Sequence, residues 1–187
     1  APSRGAPGSA LIALISHQEL ESVMPPLPAG IDAPAFRLPD LAGREVALAD
    51  FLALGPVWLV FYKRGCPTCA LAVPYLQRLM ELPGGLEGSV VLVAQDAAED
   101  AREFAAAHGL GLPVLVESAP WPVGQAYGLR SVPTSFLVES SGVIATSAEG
   151  FVKAEWEALA GNMAARSGHP DFALFSAADD VPAFKPG

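Results

Sequence analysis

The feature that most restricts the fold is a continuous apolar run at residues 57–62, Val-Trp-Leu-Val-Phe-Tyr. A strand with one solvated face alternates apolar and polar residues, whereas an unbroken apolar run is typical of a strand buried on both faces. Similar runs follow at 89–94 and, in shorter form, at 113–116. We therefore predict strands in the interior of a sheet that is covered by helices.

The segments around these runs complete the predicted fold. Residues 36–38 and 45–48 alternate in polarity around a turn at 40–43, which indicates a β-hairpin. A closing hairpin and four helices are also predicted: strands at 134–139 and 142–148, and helices at 67–82, 98–108, 123–127 and 151–165. This order predicts an α/β fold in which a mixed central sheet, with a parallel core and an antiparallel edge, is flanked by helices.

One domain with extended ends accounts for the 187 residues. The domain is predicted to span 31–167. An N-terminal extension at 1–30 contains a short amphipathic helix and a proline-rich connector, and its residues 1–9 are interpreted as a remnant of processing or of a tag. A C-terminal tail at 168–187 is predicted to lie over the domain surface through aromatic anchors, and a lid or partner-docking role is the alternative.

Charge and hydropathy exclude several classes of partner. A net charge of −9 disfavours nucleic acid, which is bound by excess Lys and Arg. The N-terminal apolar stretch at 10–15 is too short to span a membrane, so no membrane insertion is expected. Without a leader or anchor in the sequence, the cytoplasm is favoured. Because the chain begins with Ala1 rather than Met, an extracytoplasmic location after removal of a leader is the alternative.

The two cysteines of the chain, Cys66 and Cys69, lie in a Cys-Pro-Thr-Cys sequence. A disulfide between them would close a very small loop and add little stability, so a redox-active dithiol is the better interpretation. Cys66 is placed where a strand ends and a helix begins, with Pro67 suited to the first helical turn. The free N–H groups there, together with Lys63 and Arg64, are expected to favour a thiolate.

This geometry predicts the role of each sulfur. Cys66 attacks a substrate disulfide, and Cys69 then attacks the sulfur of Cys66 to release the reduced substrate. The same steps in reverse oxidise a dithiol. The predicted partners are protein or small-molecule thiols and disulfides, with a reductase as a further candidate, and no metal or organic cofactor is required.

The sequence leaves three other interpretations of the cysteines open. A zinc half-site would need more ligands, but the histidines His17, His108 and His169 are scattered. Two buried, inert cysteines are a second alternative. A thiol peroxidase with an antioxidant role is the third and the most serious, because its cysteine chemistry is equally available.

Four motifs follow one another between residues 33 and 165: the hairpin at 33–43, the Cys-Pro-Thr-Cys sequence followed by Pro74, the loop at 127–134 that contains Pro133, and the closing hairpin at 136–142. In this order they resemble the redoxin branch of the thioredoxin superfamily, which is AhpC/TSA-related and includes the TlpA-like thiol-disulfide oxidoreductases. The resemblance implies a thioredoxin-like fold and a proline kink at Pro74. It also implies a cis-proline at Pro133, with Val132 and Pro133 contacting substrate and Thr68 supporting the active-site helix.

Departures from the family pattern keep a non-catalytic redoxin-like binding module as a further alternative. Gly65 stands where thioredoxins usually have Trp, just before the first cysteine. Val60 stands where many thioredoxins have a buried acid, six residues before that cysteine. Ala72 stands where some extracytoplasmic relatives have Glu, three residues after the second cysteine. Asp96 and Glu103 are nearby carboxylates only in sequence order.

The peroxiredoxin pattern does not fit either cysteine. That pattern has Thr or Ser three residues before the reactive cysteine and Pro four residues further back. Counted back from Cys66, these two positions hold Lys63 and Leu59. Counted back from Cys69, they hold Cys66 and Tyr62. Arg130 is interpreted as a solvated loop residue rather than a peroxide ligand.

Overall fold

The predicted apolar runs form the centre of a five-stranded sheet in the computed structural model, which describes residues 26–187. The N-terminal helix predicted near 10–21 lies outside these residues. The strands are β1 (Arg37–Pro39), β2 (Glu45–Ala47), β3 (Val57–Tyr62), β4 (Ser89–Ala94), β5 (Val114–Val116), β6 (Thr134–Val138), β7 (Ile144–Glu149), β8 (Phe151–Val152) and β9 (Phe184–Lys185). The helices are α1 (Leu48–Leu52), α2 (Pro67–Ala72), α3 (Gln77–Met80), α4 (Ala98–Ala107), α5 (Pro122–Ala126) and α6 (Lys153–Arg166), with a 3-10 helix at Val73–Leu76.

The main sheet has the strand order β5-β4-β3-β6-β7. Strands β3, β4 and β5 are parallel, whereas β6 pairs antiparallel with β3, and β7 pairs antiparallel with β6. The predicted α/β class, with a parallel core and an antiparallel edge, is confirmed. The predicted first hairpin, β1–β2, is confirmed, and it forms a two-stranded sheet separate from the main one.

Strand β3 contributes to the core on both faces of the sheet, and every one of its residues is fully buried. On one face Trp58, Val60 and Tyr62 share a cluster with side chains of α2 and α6. On the other face Leu59 and Phe61 pack with residues from the first hairpin and with Tyr127. This two-sided burial explains why the run at 57–62 contains no polar residue.

One predicted helix and one predicted strand differ from the structure. The helix predicted at 67–82 is split into α2, the 3-10 helix and α3, because Pro74 has no N–H to continue the α-helical pattern. The strand predicted through Leu48 ends one residue earlier, and α1 begins there. The Asp50 carboxylate accepts the Ala47 N–H at 2.8 Å, which satisfies a free donor at the helix start.

The C-terminal tail runs back along the domain and ends near the first turn of α2. Leu174 and Phe175 are buried, and Phe175 packs edge-on against Tyr75 and Phe151. Further along, β9 pairs antiparallel with β8. The helix predicted to begin at 151 therefore begins at Lys153, since the two residues before it form β8. Over residues 26–187, no helix combines the length and apolar character needed to cross a bilayer.

Candidate active site

Cys66 lies at the junction between β3 and α2, as its sequence position predicts. It is the N-cap residue of α2, and Pro67 occupies the first helical position. The Cys69 N–H donates to the Cys66 sulfur at 3.1 Å. A backbone donor directed at this sulfur is suited to holding negative charge on it, which is the charge carried by the attacking form of a cysteine.

The two thiols differ sharply in exposure. Both are free, and Cys66 is half-buried whereas Cys69 is fully buried. Burial raises the pKa of the Cys69 thiol well above its ordinary value, and its contact with Cys66 raises it further. Cys66 is therefore the sulfur that an external disulfide can reach, and Cys69 can reach only a partner already attached to Cys66.

The loop that precedes β6 lies against the same sulfur. The Cys66 thiol donates to the Val132 carbonyl at 3.2 Å, and the Val132–Pro133 peptide bond is cis. The Pro133 carbonyl in turn accepts the Gly150 N–H at 2.7 Å, which ties the loop to the end of β7. The structure thus brings Val132 and Pro133, the predicted substrate contacts, beside the predicted nucleophile.

The predicted supporting cations have partners of their own. The Lys63 ammonium lies 4.0 Å from the centre of the Trp121 ring. The Arg64 guanidinium forms ion pairs with Asp100 and Glu103, the latter at 2.6 Å, on the exposed face of α4. The charge of Arg64 is therefore shared between two carboxylates. That Arg64 and Lys63 favour the thiolate form of Cys66 stays a prediction.

The remaining supporting residues shape the active-site helix. Thr68 is buried, and its hydroxyl donates to the Pro186 carbonyl of the C-terminal tail at 2.6 Å. Pro74 stands in the 3-10 helix that follows α2. The sequence predicted the kink, but the contact between Thr68 and the tail could not be predicted from it, since it joins residues far apart in the chain.

Asp96 was named from the sequence only because it is not far from the cysteines along the chain. It follows β4, whose last residue pairs with Tyr62 at the end of β3, and its carboxylate accepts the Arg64 N–H at 2.7 Å. Partial burial raises the pKa of Asp96. Its charge contributes to the raised pKa values of both Tyr62 and Cys69, for which burial is the main cause. The carboxyl ends of parallel neighbouring strands meet at one sheet edge, and this rule could have identified Asp96.

Tyr62 was predicted only as part of a buried strand. Its hydroxyl is buried, and within residues 26–187 it has no hydrogen-bond partner. The same described part of the chain contains no group of three or more His, Cys, Asp or Glu side chains arranged to hold a metal ion.

Comparison with known proteins gives consistent matches. The model of the AhpC/TSA family matches residues 29–147. The thiol-disulfide oxidoreductase ResA of Bacillus thuringiensis subsp. konkukian is 32% identical over 124 residues, which cover 65% of this chain and 69% of ResA. For ResA of Bacillus anthracis the identity is 33% and the matched share of that protein is 66%, so the chain spans about two thirds of the length of these relatives.

Solved structures agree with the sequence matches. A Chlorobium tepidum protein assigned as the thiol:disulfide interchange protein DsbE has a TM-score of 0.66 and 30% identity, and the match covers 74% of this chain and 97% of that chain. A secreted Mycobacterium tuberculosis disulfide oxidoreductase, homologous to DsbE, has a TM-score of 0.56, and its match covers 70% of this chain and 95% of that one. At 19% identity, this second likeness shows the fold alone.

Proposed function

The chain belongs to the AhpC/TSA family, and we propose that it is a thiol-disulfide oxidoreductase that reduces disulfides in polypeptide substrates through Cys66 and Cys69. The observation that carries the proposal is the difference between the two sulfurs. One is accessible, accepts a backbone N–H and lies beside Val132, whereas the other is fully buried one helical turn away.

The reaction takes two steps. The Cys66 thiolate attacks one sulfur of the substrate disulfide, a mixed disulfide forms, and the other substrate sulfur leaves as a thiolate that takes up a proton. Cys69 then loses its proton and attacks the Cys66 sulfur, so that the intramolecular disulfide forms and the second substrate thiol is released. Two electrons and two protons reach the substrate. A dithiol reductant must restore the protein for the next cycle.

Residues around Cys66 support a polypeptide substrate. The Val132 carbonyl faces the sulfur, and a cleft beside it is lined by Lys63, Trp121 and Arg130. Main-chain groups next to a reactive sulfur can pair with the main chain of an incoming polypeptide. Val132 and Pro133 are accordingly our proposed substrate contacts.

Reduction of insulin disulfides, with a dithiol as the electron source, tests this proposal. We expect insulin reduction by Cys66→Ser to fall to the uncatalysed rate, because the sulfur that remains, that of Cys69, is buried. Cys69→Ser should instead accumulate a mixed disulfide with the substrate, visible by mass spectrometry of the intact adduct. Serine is the matched replacement because it keeps the size and removes only the sulfur chemistry. Turnover by Cys66→Ser at the wild-type rate would refute the assignment.

Reduction of hydrogen peroxide is the competing activity, and it must be distinguished from the reduction of disulfides. Lys63, which stands where peroxiredoxins have Thr or Ser, lies over the Trp121 ring, and the Arg130 guanidinium is paired with Glu149. We therefore expect consumption of hydrogen peroxide to be slow relative to insulin reduction, for the wild type and under the same dithiol. A faster peroxide reaction would make the protein a thiol peroxidase.

We also propose that the protein works outside the cytoplasm, which is the alternative that the sequence left open. A protein with the same fold is secreted, so the fold itself is compatible with a location outside the cytoplasm. Fractionation of the source cells, followed by immunoblotting, tests the proposal. Recovery of the protein only with cytoplasmic markers would contradict it.

A further inference from the structure

The last residues of the chain cross the end of the domain that carries Cys66. We call residues 183–187 the C-terminal segment. Its strand β9 pairs antiparallel with β8, and the Ala183 carbonyl accepts the Lys153 N–H at 2.9 Å. Main-chain hydrogen bonds to a strand edge are the means by which an extended polypeptide docks on a domain.

The end of this segment reaches the groups that surround the reactive sulfur. The Pro186 carbonyl accepts the Thr68 hydroxyl at 2.6 Å, and Thr68 lies between the two cysteines. Gly187 packs so closely on the loop before Pro133 that a Cβ atom there would lie 2.7 Å from the Val132 oxygen. That oxygen also accepts the Cys66 thiol. The C-terminal segment therefore covers main-chain and side-chain groups immediately next to the nucleophile.

The residues before the segment are held by several charged hydrogen bonds, whereas the segment itself has only the short ladder of β9 and the contacts of Pro186 and Gly187 described above. Upstream, Asp179 forms an ion pair with Arg78 at 2.6 Å, and the Glu157 carboxylate accepts the N–H groups of Leu174 and Phe175. By contrast β9 has two residues, and Phe184 is 60% exposed. Few buried contacts and exposed hydrogen bonds are typical of segments that open locally at low free-energy cost.

We propose that the C-terminal segment is a built-in competitor of the polypeptide substrate and must leave the Thr68–Val132 surface before a substrate chain can bind beside Cys66. The inference rests on the proposed function, because it takes this surface as the docking place of the substrate. A substrate can then bind only to molecules in which the segment has left the surface. The rate of reduction is proportional to the fraction of such open molecules. Small disulfides need less of the surface and are hindered less.

Truncation after Val181 is the direct test. We expect insulin reduction to rise about threefold to tenfold, which corresponds to an open fraction of roughly a third to a tenth in the full chain. Reduction of 2-hydroxyethyl disulfide should rise less. A synthetic peptide of residues 182–187, added to the truncated protein, should slow insulin reduction again, and a scrambled peptide should not. Equal insulin rates for full and truncated chains would overturn the proposal.

A point variant guards against a truncated chain that does not fold. Lys185→Pro removes a backbone donor from β9 and should release the segment, whereas Lys185→Ala keeps the donor and serves as the matched control. We expect the proline variant to reproduce the gain in insulin reduction and the alanine variant to match the wild type. Identical rates for the two variants and the wild type would count against the competitor role.

Alkylation of Cys66 by iodoacetamide separates this inference from the proposed function. It requires access to the sulfur but no disulfide exchange, and Cys69 is too buried to contribute. Faster alkylation after truncation, without insulin reduction by either protein, would refute the oxidoreductase activity and leave the covering role of the segment intact. Unchanged alkylation together with unchanged insulin reduction would refute the covering role.

Discussion

At the scale of residues, the difference between the two thiols comes from how deeply each one is buried. Cys66 and Cys69 are chemically identical, yet one is half-buried and the other has no exposed surface. Desolvation penalises the charged form of a thiol and so disfavours ionisation of Cys69. In the reaction that we propose, this burial is what makes Cys66 attack first and Cys69 second.

Asp96 provides a test of the electrostatics at the residue scale. Its pKa in the folded protein is raised above the ordinary value of 3.8, so the folded state disfavours its charge. The unfolded chain carries that charge more readily, and Asp96 therefore lowers stability at pH values above its folded pKa. We expect Asp96→Asn, which keeps an oxygen to accept the Arg64 N–H, to be more stable than the wild type at pH 7.

The pH dependence distinguishes this effect from a simple change in packing. As the pH falls through the raised pKa and below 3.8, the wild-type carboxyl becomes neutral in both states, so the difference between variant and wild type should vanish. Urea unfolding at pH 7 and pH 3 measures it. Asp180→Asn, on an exposed residue, is the control and should change stability by less than about 0.5 kcal/mol. A variant that is less stable than the wild type at pH 7 would show that the charge is favourable in the fold.

At the scale of elements, the sequence predicted the strands whose positions depend only on burial. The runs at 57–62 and 89–94 became β3 and β4 because strands covered on both faces need apolar residues throughout. The ladder between β8 and β9 could not be predicted, because two residues carry no pattern and the pairing depends on where the tail returns. Likewise the helix α1 follows a strand without a break, and its start is marked only by the bond from Ala47 to Asp50.

The candidate site divides in the same way. The placement of Cys66 at a strand–helix junction follows from local sequence, and the proximity of Val132 followed from family resemblance. Asp96 and the tail contact on Thr68 are tertiary facts, since each joins elements that are remote in the chain. Spacing within a motif cannot reveal such contacts.

Gly88 provides a test at the scale of elements, because it lets the chain enter β4 beside β3. Its φ angle is +90°, and a Cβ atom there would lie 2.0 Å from the Pro56 carbonyl oxygen. We expect Gly88→Ala to lower the free energy of unfolding by about 2 to 4 kcal/mol, through backbone strain and the displacement of Pro56.

Gly84 is the matched control for this substitution. It has φ +84°, but a Cβ atom there would meet nothing within 4 Å. Gly84→Ala should therefore show the strain alone, on the order of 1 to 2 kcal/mol. Chemical denaturation of both variants gives the comparison. Equal losses would mean that the close approach to Pro56 contributes nothing.

For the whole molecule, the decisive property is the reduction potential of the Cys66–Cys69 couple, because it sets the direction of exchange. Strongly oxidising couples owe their potential to a stabilised reduced form with an ionised thiol. In this protein the buried Cys69 resists ionisation, so an ionised thiol in the reduced form could only be that of Cys66. Burial of Cys69 therefore fixes how many protons the couple takes up on its side rather than the value of the potential.

The dependence of that potential on pH tests the same cause. Reduction of the disulfide takes up two electrons and, while Cys69 stays protonated, at least one proton. Each proton lowers a two-electron potential by about 30 mV per pH unit. Because burial keeps the pKa of Cys69 far above neutrality, the slope should stay at or above about 30 mV per unit from pH 6 to 9. Equilibration with a dithiothreitol redox buffer at each pH measures it. A slope that flattens towards zero below pH 9 would mean that Cys69 ionises readily despite its burial.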